Sequence, residues 1–331
     1  MEKIQAAITS IGHFVPESVL SNSDFEKIVD TTDEWITTRT GIKERRILTN
    51  GEPMSYMAAK AAEMCLSRRG ISAEEIDLIL VGTVTPDMLF PATACVIQEK
   101  IGAKKAWGFD ILAACSGFIF TLVTGAQFIE SGRHKKVLVI GADKMSAITN
   151  YRDRNTCVLF GDAAGCVLLE PSEEPGYGIV DSLVHTDGKG GKYLHMLAGG
   201  SLNPPSHSTV ENDWHFVYQE GKNVFKDAVV GMADISYDIM EKNHLQPEDI
   251  SYLVPHQANM RIITACADRM GLPLEKVMIN IHKYGNTTAA TIPLCISEYW
   301  EDGKVKKGDN LILSSFGAGY TWGAILVKWA Y

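Results

Sequence analysis

The sequence predicts an α/β fold. Short apolar runs alternate with amphipathic helical patterns along the whole chain. Runs such as Leu78–Val81 and Val137–Ala142 are apolar at every position, which suits parallel strands covered on both faces. The order "helix, short link, two acids, Ile, buried strand" also occurs twice, so the chain reads as two related halves. With 331 residues, 46% of them hydrophobic, it can fill one large domain or two similar halves. The expected division is 1–170 and 171–331, packed as one unit.

Taken in order, residues 4–11 form a first strand, and Ser21-Asn22-Ser23-Asp24 starts a helix with Phe25, Ile28 and Val29 on one face. Residues 33–46 are polar and carry Trp35, Arg39, Arg45 and Arg46 without an apolar face. This stretch reads as a solvated loop or as a ligand-binding rim, because Trp stacks on a base and Arg grips phosphate. A helix follows over 53–69, then a strand over 78–83, the loop 85–91 and a helix over 92–101. The run 106–112 is a strand that ends in small residues, then Cys115, then a helical pattern through Phe118, Leu122 and Ile129. Strands are expected at 137–142, 157–160 and 166–169, and 171–215 reads as a connecting region rich in Gly, Pro, His and Ser. Beyond it come a helix over 221–243, a strand over 251–255, a helix over 289–300, a strand over 311–315, the glycine turn 316–323 and a strand over 324–329.

Two offsets relate the halves. Ile76 corresponds to Ile250 at 174 residues, and Glu130-Ser131-Gly132 to Glu301-Asp302-Gly303 at 171. Applied to Cys115, the offset of 171 reaches Asn286, so a Cys and an Asn are expected at equivalent helix N-termini.

A formal net charge of −9 without a long basic run argues against extensive nucleic-acid binding. No apolar run is long enough to span a bilayer and the N-terminus lacks a signal-like apolar segment, so a cytoplasmic protein is expected. The seven cysteines are scattered without a Cys-x-x-Cys, which argues against a disulfide framework and against a zinc site; no metal is expected. Cys65, Cys95, Cys157, Cys166, Cys266 and Cys295 read as packed residues.

Cys115 is the candidate nucleophile. It sits at a strand-to-helix corner, where free backbone N–H groups and the helix dipole favour a thiolate. His256 follows a buried strand at its carboxyl end, where α/β sites form. Cys, His and Asn together suit acyl-thioester chemistry, with N–H donors holding an oxyanion. An N–H of the glycine turn 316–323 can join that of Cys115 in this role.

The motifs Asp33-Glu34-Trp35-Ile36 with Arg39-Thr40-Gly41-Ile42, Ala113-Ala114-Cys115-Ser116-Gly117-Phe118, Phe160-Gly161-Asp162-Ala163-Ala164-Gly165, His256-Gln257-Ala258-Asn259, Gly285-Asn286-Thr287-Thr288-Ala289-Ala290 and Phe316-Gly317-Ala318-Gly319-Tyr320-Thr321-Trp322-Gly323 stand in one order along the chain. In this the sequence resembles the β-ketoacyl-acyl carrier protein synthase III family, essentially end to end. The resemblance implies a thiolase-like five-layered αβαβα sandwich of two pseudo-symmetric halves, usually a homodimer. It also implies decarboxylative condensation of an acyl-CoA primer with malonyl-acyl carrier protein, by ping-pong through an acyl-Cys115 thioester and with no cofactor. His256 and Asn286 are then the enolate-stabilising partners, and the N–H groups of Cys115 and Ala318 the oxyanion hole. Trp35, Arg39, Thr40, Arg154, Gly221, Phe225 and Asn259 are expected to bind CoA, and Phe90 to reach the partner's acyl pocket. Lys222, Lys226, Arg261 and Arg269 are the expected docking face for the carrier protein. A condensing enzyme of secondary metabolism with the same triad is the alternative. A degradative thiolase lacks support, because no second Cys lies in 314–323.

Overall fold

The computed structural model describes residues 4–331. The N-terminal elements are β1 (Ala6–Phe14), α1 (Asp33–Thr40), α2 (Met54–Arg69), β2 (Leu78–Gly82), α3 (Thr93–Ile101), β3 (Trp107–Ile111), α4 (Gly117–Glu130), β4 (Val137–Lys144) and β5 (Asp162–Pro171). They are followed by β6 (Gly178–Thr186), α5 (Gly221–Lys242), β7 (Tyr252–Pro255), α6 (Met260–Met270), α7 (Thr291–Glu301), β8 (Asn310–Gly317) and β9 (Thr321–Lys328). One sheet has the order β1-β5-β4-β2-β3, and the second has the matching order β6-β9-β8-β7. In the second sheet, a single parallel bridge from Leu253 to Val277 stands where the first has β3.

The layers follow from side-chain alternation. Leu78 and Leu80 of β2 point inward to α4, while Ile79 and Val81 point outward to α2 and α3. The inner layer is α4 and α7, packed between both sheets through Leu122, Ile129, Ile292 and Ile296. Helices α5 and α6 cover the far face of the second sheet against Leu253, Ile312 and Leu326. The result is the five-layered αβαβα sandwich, and the continuous apolar strands are what two covered faces require.

Local signals fix the element ends. Gly70 closes α2 in the left-handed region at φ 73°, donating to Leu66 O and Ser67 O. Ser72 then caps the turn Ala73–Glu75 in a capping box with Glu75, and Gln246 with Asp249 repeats this at Pro247–Asp249. These turns are 174 residues apart, as are Leu78 and Tyr252, and as are the turns Ala114–Ser116 and Thr288–Ala290. Ala114 and Thr288 even share a left-handed backbone, with φ 48° and 51°. The counterpart of Cys115 is therefore Ala289, not Asn286. The offset of 171 arises only later, because α4 has 14 residues and α7 has 11.

Other expectations are also corrected. Residues 33–40 are the helix α1: Thr32 accepts the Trp35 N–H and Gly41 ends it at φ 81°. Residues 157–160 are not a strand; the short helix Arg154–Cys157 runs into them, and the strand starts at Asp162. The connecting region 171–215 contains β6, whose pairing with β9 was hidden by its half-exposed residues. Cys95 is exposed rather than packed. Asn286 does not head a helix, since α7 begins at Thr291.

The two central turns touch because small residues let them. A Cβ on Gly141 would lie 2.3 Å from Ala289 O, and one on Gly117 would lie 3.2 Å from Ala289 Cβ. Gly141→Ala is therefore expected to destabilise the protein by about 1–3 kcal/mol, read as a lowered urea midpoint. An unchanged midpoint would contradict this account of the contact.

Candidate active site

Strand β3 delivers the chain to the corner at Ala113, and the second sheet bolts that corner in place. Ser116 Oγ donates to Thr321 O at 2.9 Å, Thr321 Oγ1 to Ala113 O at 3.0 Å, and Ser315 Oγ to Cys115 O at 2.8 Å. Any Cβ on Gly317 would come within 2.8 Å of Cys115 N, so only glycine lets the β8–β9 turn approach the nucleophile's backbone. Ala318, the next residue, lines the same cavity as Cys115.

His256 leaves the end of β7 with its N–H on Ser314 O at 2.8 Å, and its Nδ1 lies 2.7 Å from Thr291 Oγ1. Asn286 is held by a short parallel bridge to the loop before β5. Its N–H donates to Leu159 O at 2.9 Å and its carbonyl accepts from Gly161 N at 3.1 Å. Its Oδ1 accepts the Thr288 N–H at 2.8 Å, which leaves the amide NH2 as donor toward the Cys115 thiol. Cys115, His256 and Asn286 line one cavity, walled by Val84, Met145, Ile148, Val217, Phe225 and Phe316.

Burial in this apolar cavity bears on protonation. Burial pushes the Cys115 thiol up to about 12, with the nearby Asp143 carboxylate adding to the rise; the backbone and Asn286 hydrogen bonds act the other way but lose. Helix α4 starts only at Gly117, two residues past the thiol, and burial acts against the thiolate expected from sequence. Burial lowers His256 to about 3, so it is a neutral imidazole beside a protonated thiol.

Asp143, which the sequence reading missed, ties the two halves at this point. It accepts from Thr83 Oγ1 at 2.9 Å, Val84 N at 2.7 Å, Thr85 N at 3.1 Å and Thr85 Oγ1 at 3.0 Å, and from Thr288 Oγ1 across the pseudo-symmetry. An acid at the carboxyl end of the buried strand β4 is the signal that could have revealed it. Gln257 was missed too. It is fully buried and pairs with Pro255 O, Met278 O, Asn280 N and Ile281 N, joining the end of β7 to the segment that leads to Asn286.

The expected binding residues divide. Trp35 on α1 has the Arg154 guanidinium 4.5 Å and the Arg39 guanidinium 4.8 Å from its ring. Asn259 and Phe225 line the cavity; Asn259 caps α6 through Arg261 N and donates to Arg39 O at 2.9 Å. Thr40 is buried, with its hydroxyl spent on Ile36 O and the Ile42 N–H, so its side chain closes α1 instead of facing the rim. Gly221, Lys222 and Lys226 are exposed in the first turns of α5, and the Arg261 guanidinium packs 4.5 Å from the Phe225 ring. Arg269 is farther along α6 and paired with Asp234 at 3.0 Å. Phe90 is 82% exposed and lies outside the cavity of its own chain. Among the described residues, no helix is long and apolar enough to cross a membrane, and no cluster of three or more His, Cys, Asp or Glu could hold a metal.

Comparison with known proteins gives the family. The model for 3-oxoacyl-[acyl-carrier-protein] synthase III matches residues 109–188, and that for its C-terminal part matches 240–329. A β-ketoacyl-[acyl-carrier-protein] synthase III from Chlorobaculum tepidum is 59% identical over 328 residues, covering 98% of this chain and 100% of the relative. The chain belongs to the β-ketoacyl-[acyl-carrier-protein] synthase III family. It is a condensing acyltransferase of fatty acid biosynthesis with the thiolase-like fold of that family. Crystal structures of synthase III enzymes from Aquifex aeolicus (44% identity, TM-score 0.90, 98% and 100% of the two chains) and Thermus thermophilus (42%, 0.91, 98% and 99%) superpose on it.

With the thiol held near 12, the thiolate fraction of free enzyme grows about tenfold per pH unit through the neutral range. Alkylation of Cys115 by iodoacetamide, followed on the Cys115 peptide, should rise without a plateau up to about pH 10. A plateau near neutrality would show that the helix dipole wins over desolvation.

Proposed function

We propose that Cys115 carries the acyl group of an acyl-CoA primer and that His256 and Asn286 manage the condensation with malonyl-acyl carrier protein. The observation that carries this reading is the single apolar cavity lined by all three side chains. Neutral His256 takes the thiol proton as Cys115 attacks the acyl-CoA carbonyl. The N–H groups of Cys115 and Ala318 hold the tetrahedral oxyanion, and CoA leaves with the proton. Malonyl-carrier protein then loses carbon dioxide, and N–H donors on His256 and Asn286 hold the enolate oxygen. The carbanion attacks the Cys115 thioester and breaks its C–S bond, the released thiolate takes up a solvent proton to restore the thiol, and a β-ketoacyl-carrier protein leaves. Two neutral donors suffice for this, so no cofactor is required.

The halves divide this labour, 1–170 supplying the nucleophile and 171–331 the His and Asn. Trp35 and Arg154 take the adenine between them in place of their mutual stacking, with Arg39 beside it. Gly221, Phe225 and Asn259 line the way in. Lys222, Lys226 and Arg261 stand at this entrance as the surface for an acidic carrier protein, with Arg269 at its edge. The exposed Met88, Leu89 and Phe90 support a homodimer in which Phe90 closes the partner's acyl pocket. The cytoplasm is the compartment this reading assigns.

The test is a series of acyl-CoA primers of rising length and branching with malonyl-carrier protein, together with labelled acetyl-CoA. The label is expected on Cys115 and the product is expected with at least one primer. Failure with every primer sinks the reading. For docking, Arg261→Glu should slow condensation with the carrier protein by about tenfold while sparing acyl transfer from CoA. Equal loss in both steps would remove Arg261 from the docking surface.

A further inference from the structure

The reaction asks two different things of one ring nitrogen. Taking the thiol proton needs a bare Nε2, whereas holding an enolate oxygen needs an Nε2–H. His256 is buried and neutral, so it carries one ring proton, and the position of that proton depends on Nδ1. The partner of Nδ1 is the hydroxyl of Thr291, at 2.7 Å.

Thr291 Oγ1 is also 3.0 Å from Thr288 O. A hydroxyl has one proton and two lone pairs, so it can serve these neighbours in two ways. With its proton on Thr288 O, it accepts Nδ1–H and His256 presents a bare Nε2 to the cavity. With its proton on Nδ1, the ring proton moves to Nε2 and His256 presents a donor. Both arrangements use the same heavy-atom positions, and conversion needs only rotation of the hydroxyl and a tautomer exchange of the ring. We propose that Thr291 is a positioning residue that sets the tautomer of His256, and so whether His256 acts as base or as hydrogen-bond donor. The inference rests on the cycle proposed above.

The position has a second property. Thr291 starts α7 where Gly117 starts α4 in the other half, 174 residues earlier. Gly117 packs closely on Ala289, where a Cβ would come 3.2 Å from its methyl, whereas Thr291 turns a buried hydroxyl on the histidine. Thr291 is 2% exposed and does not line the cavity, so it acts through its neighbours, His256 foremost.

Nitrogen-15 NMR of histidine-labelled protein tests this, with the His256 signals assigned by their loss in His256→Asn. In Thr291→Val both tautomers lose their Nδ1 partner, but a buried N–H left without an acceptor costs more than a bare ring nitrogen, so the ring should shift toward Nε2–H. Acyl transfer from acyl-CoA to Cys115 should then fall at least about tenfold, while decarboxylation of malonyl-carrier protein falls less than about threefold. Thr291→Ser should restore both the tautomer ratio and acyl transfer. Thr291→Ala gives the same reading if the valine variant does not fold. An unchanged tautomer ratio, or equal losses in both steps, overturns the proposal. The NMR readout needs no turnover, so wild-type protein inactive with every primer would sink the functional reading and leave the tautomer result standing.

Discussion

The contact between the turns Ala114–Ser116 and Thr288–Ala290 is the constraint on which the rest of the site depends. Gly141 and Gly117 give Ala289 room to approach, and any side chain at Gly141 would meet backbone. Asp143 then ties the loop after β2 to the second of these turns, drawing hydroxyl and N–H groups from Thr83, Val84 and Thr85 on one side and the Thr288 hydroxyl on the other. A buried carboxylate is tolerated because so many donors surround it. Through Thr288, whose N–H holds Asn286 Oδ1, the same clamp orients the amide that faces the nucleophile.

The burial that makes this contact possible also sets the chemistry. Desolvation keeps both Cys115 and His256 uncharged, one as a thiol and the other as an imidazole. Such a pair stores no ion pair to be broken on substrate entry. The desolvation comes from the apolar walls of the cavity that both side chains line.

What was legible in the sequence follows a physical divide. Strands covered on both faces announce themselves as apolar runs, and Cys115 and His256 were recognisable from their places at strand ends. Helix α1 was not, because its polar residues have no apolar stripe; Thr32 and Gly41 define it by capping instead. Strand β6 was lost in a loop-like composition because it pairs at a sheet edge with only one face well covered. Thr40 shows the limit for binding residues: a hydroxyl in a motif beside Arg39 looks available until the backbone is seen to take its proton and one of its lone pairs.

The sequence by itself determined the α/β class, the doubled order of elements and the three residue types of the site, because periodicity and chain order are local properties. Only the tertiary structure decided how the halves register. It placed Ala289 rather than Asn286 opposite Cys115, since the three-residue difference between α4 and α7 is invisible until both helices are bounded. It likewise decided the protonation of Cys115 and the partner of His256. Both depend on what is packed around a side chain from elements far apart in the chain, and on how little water that packing leaves.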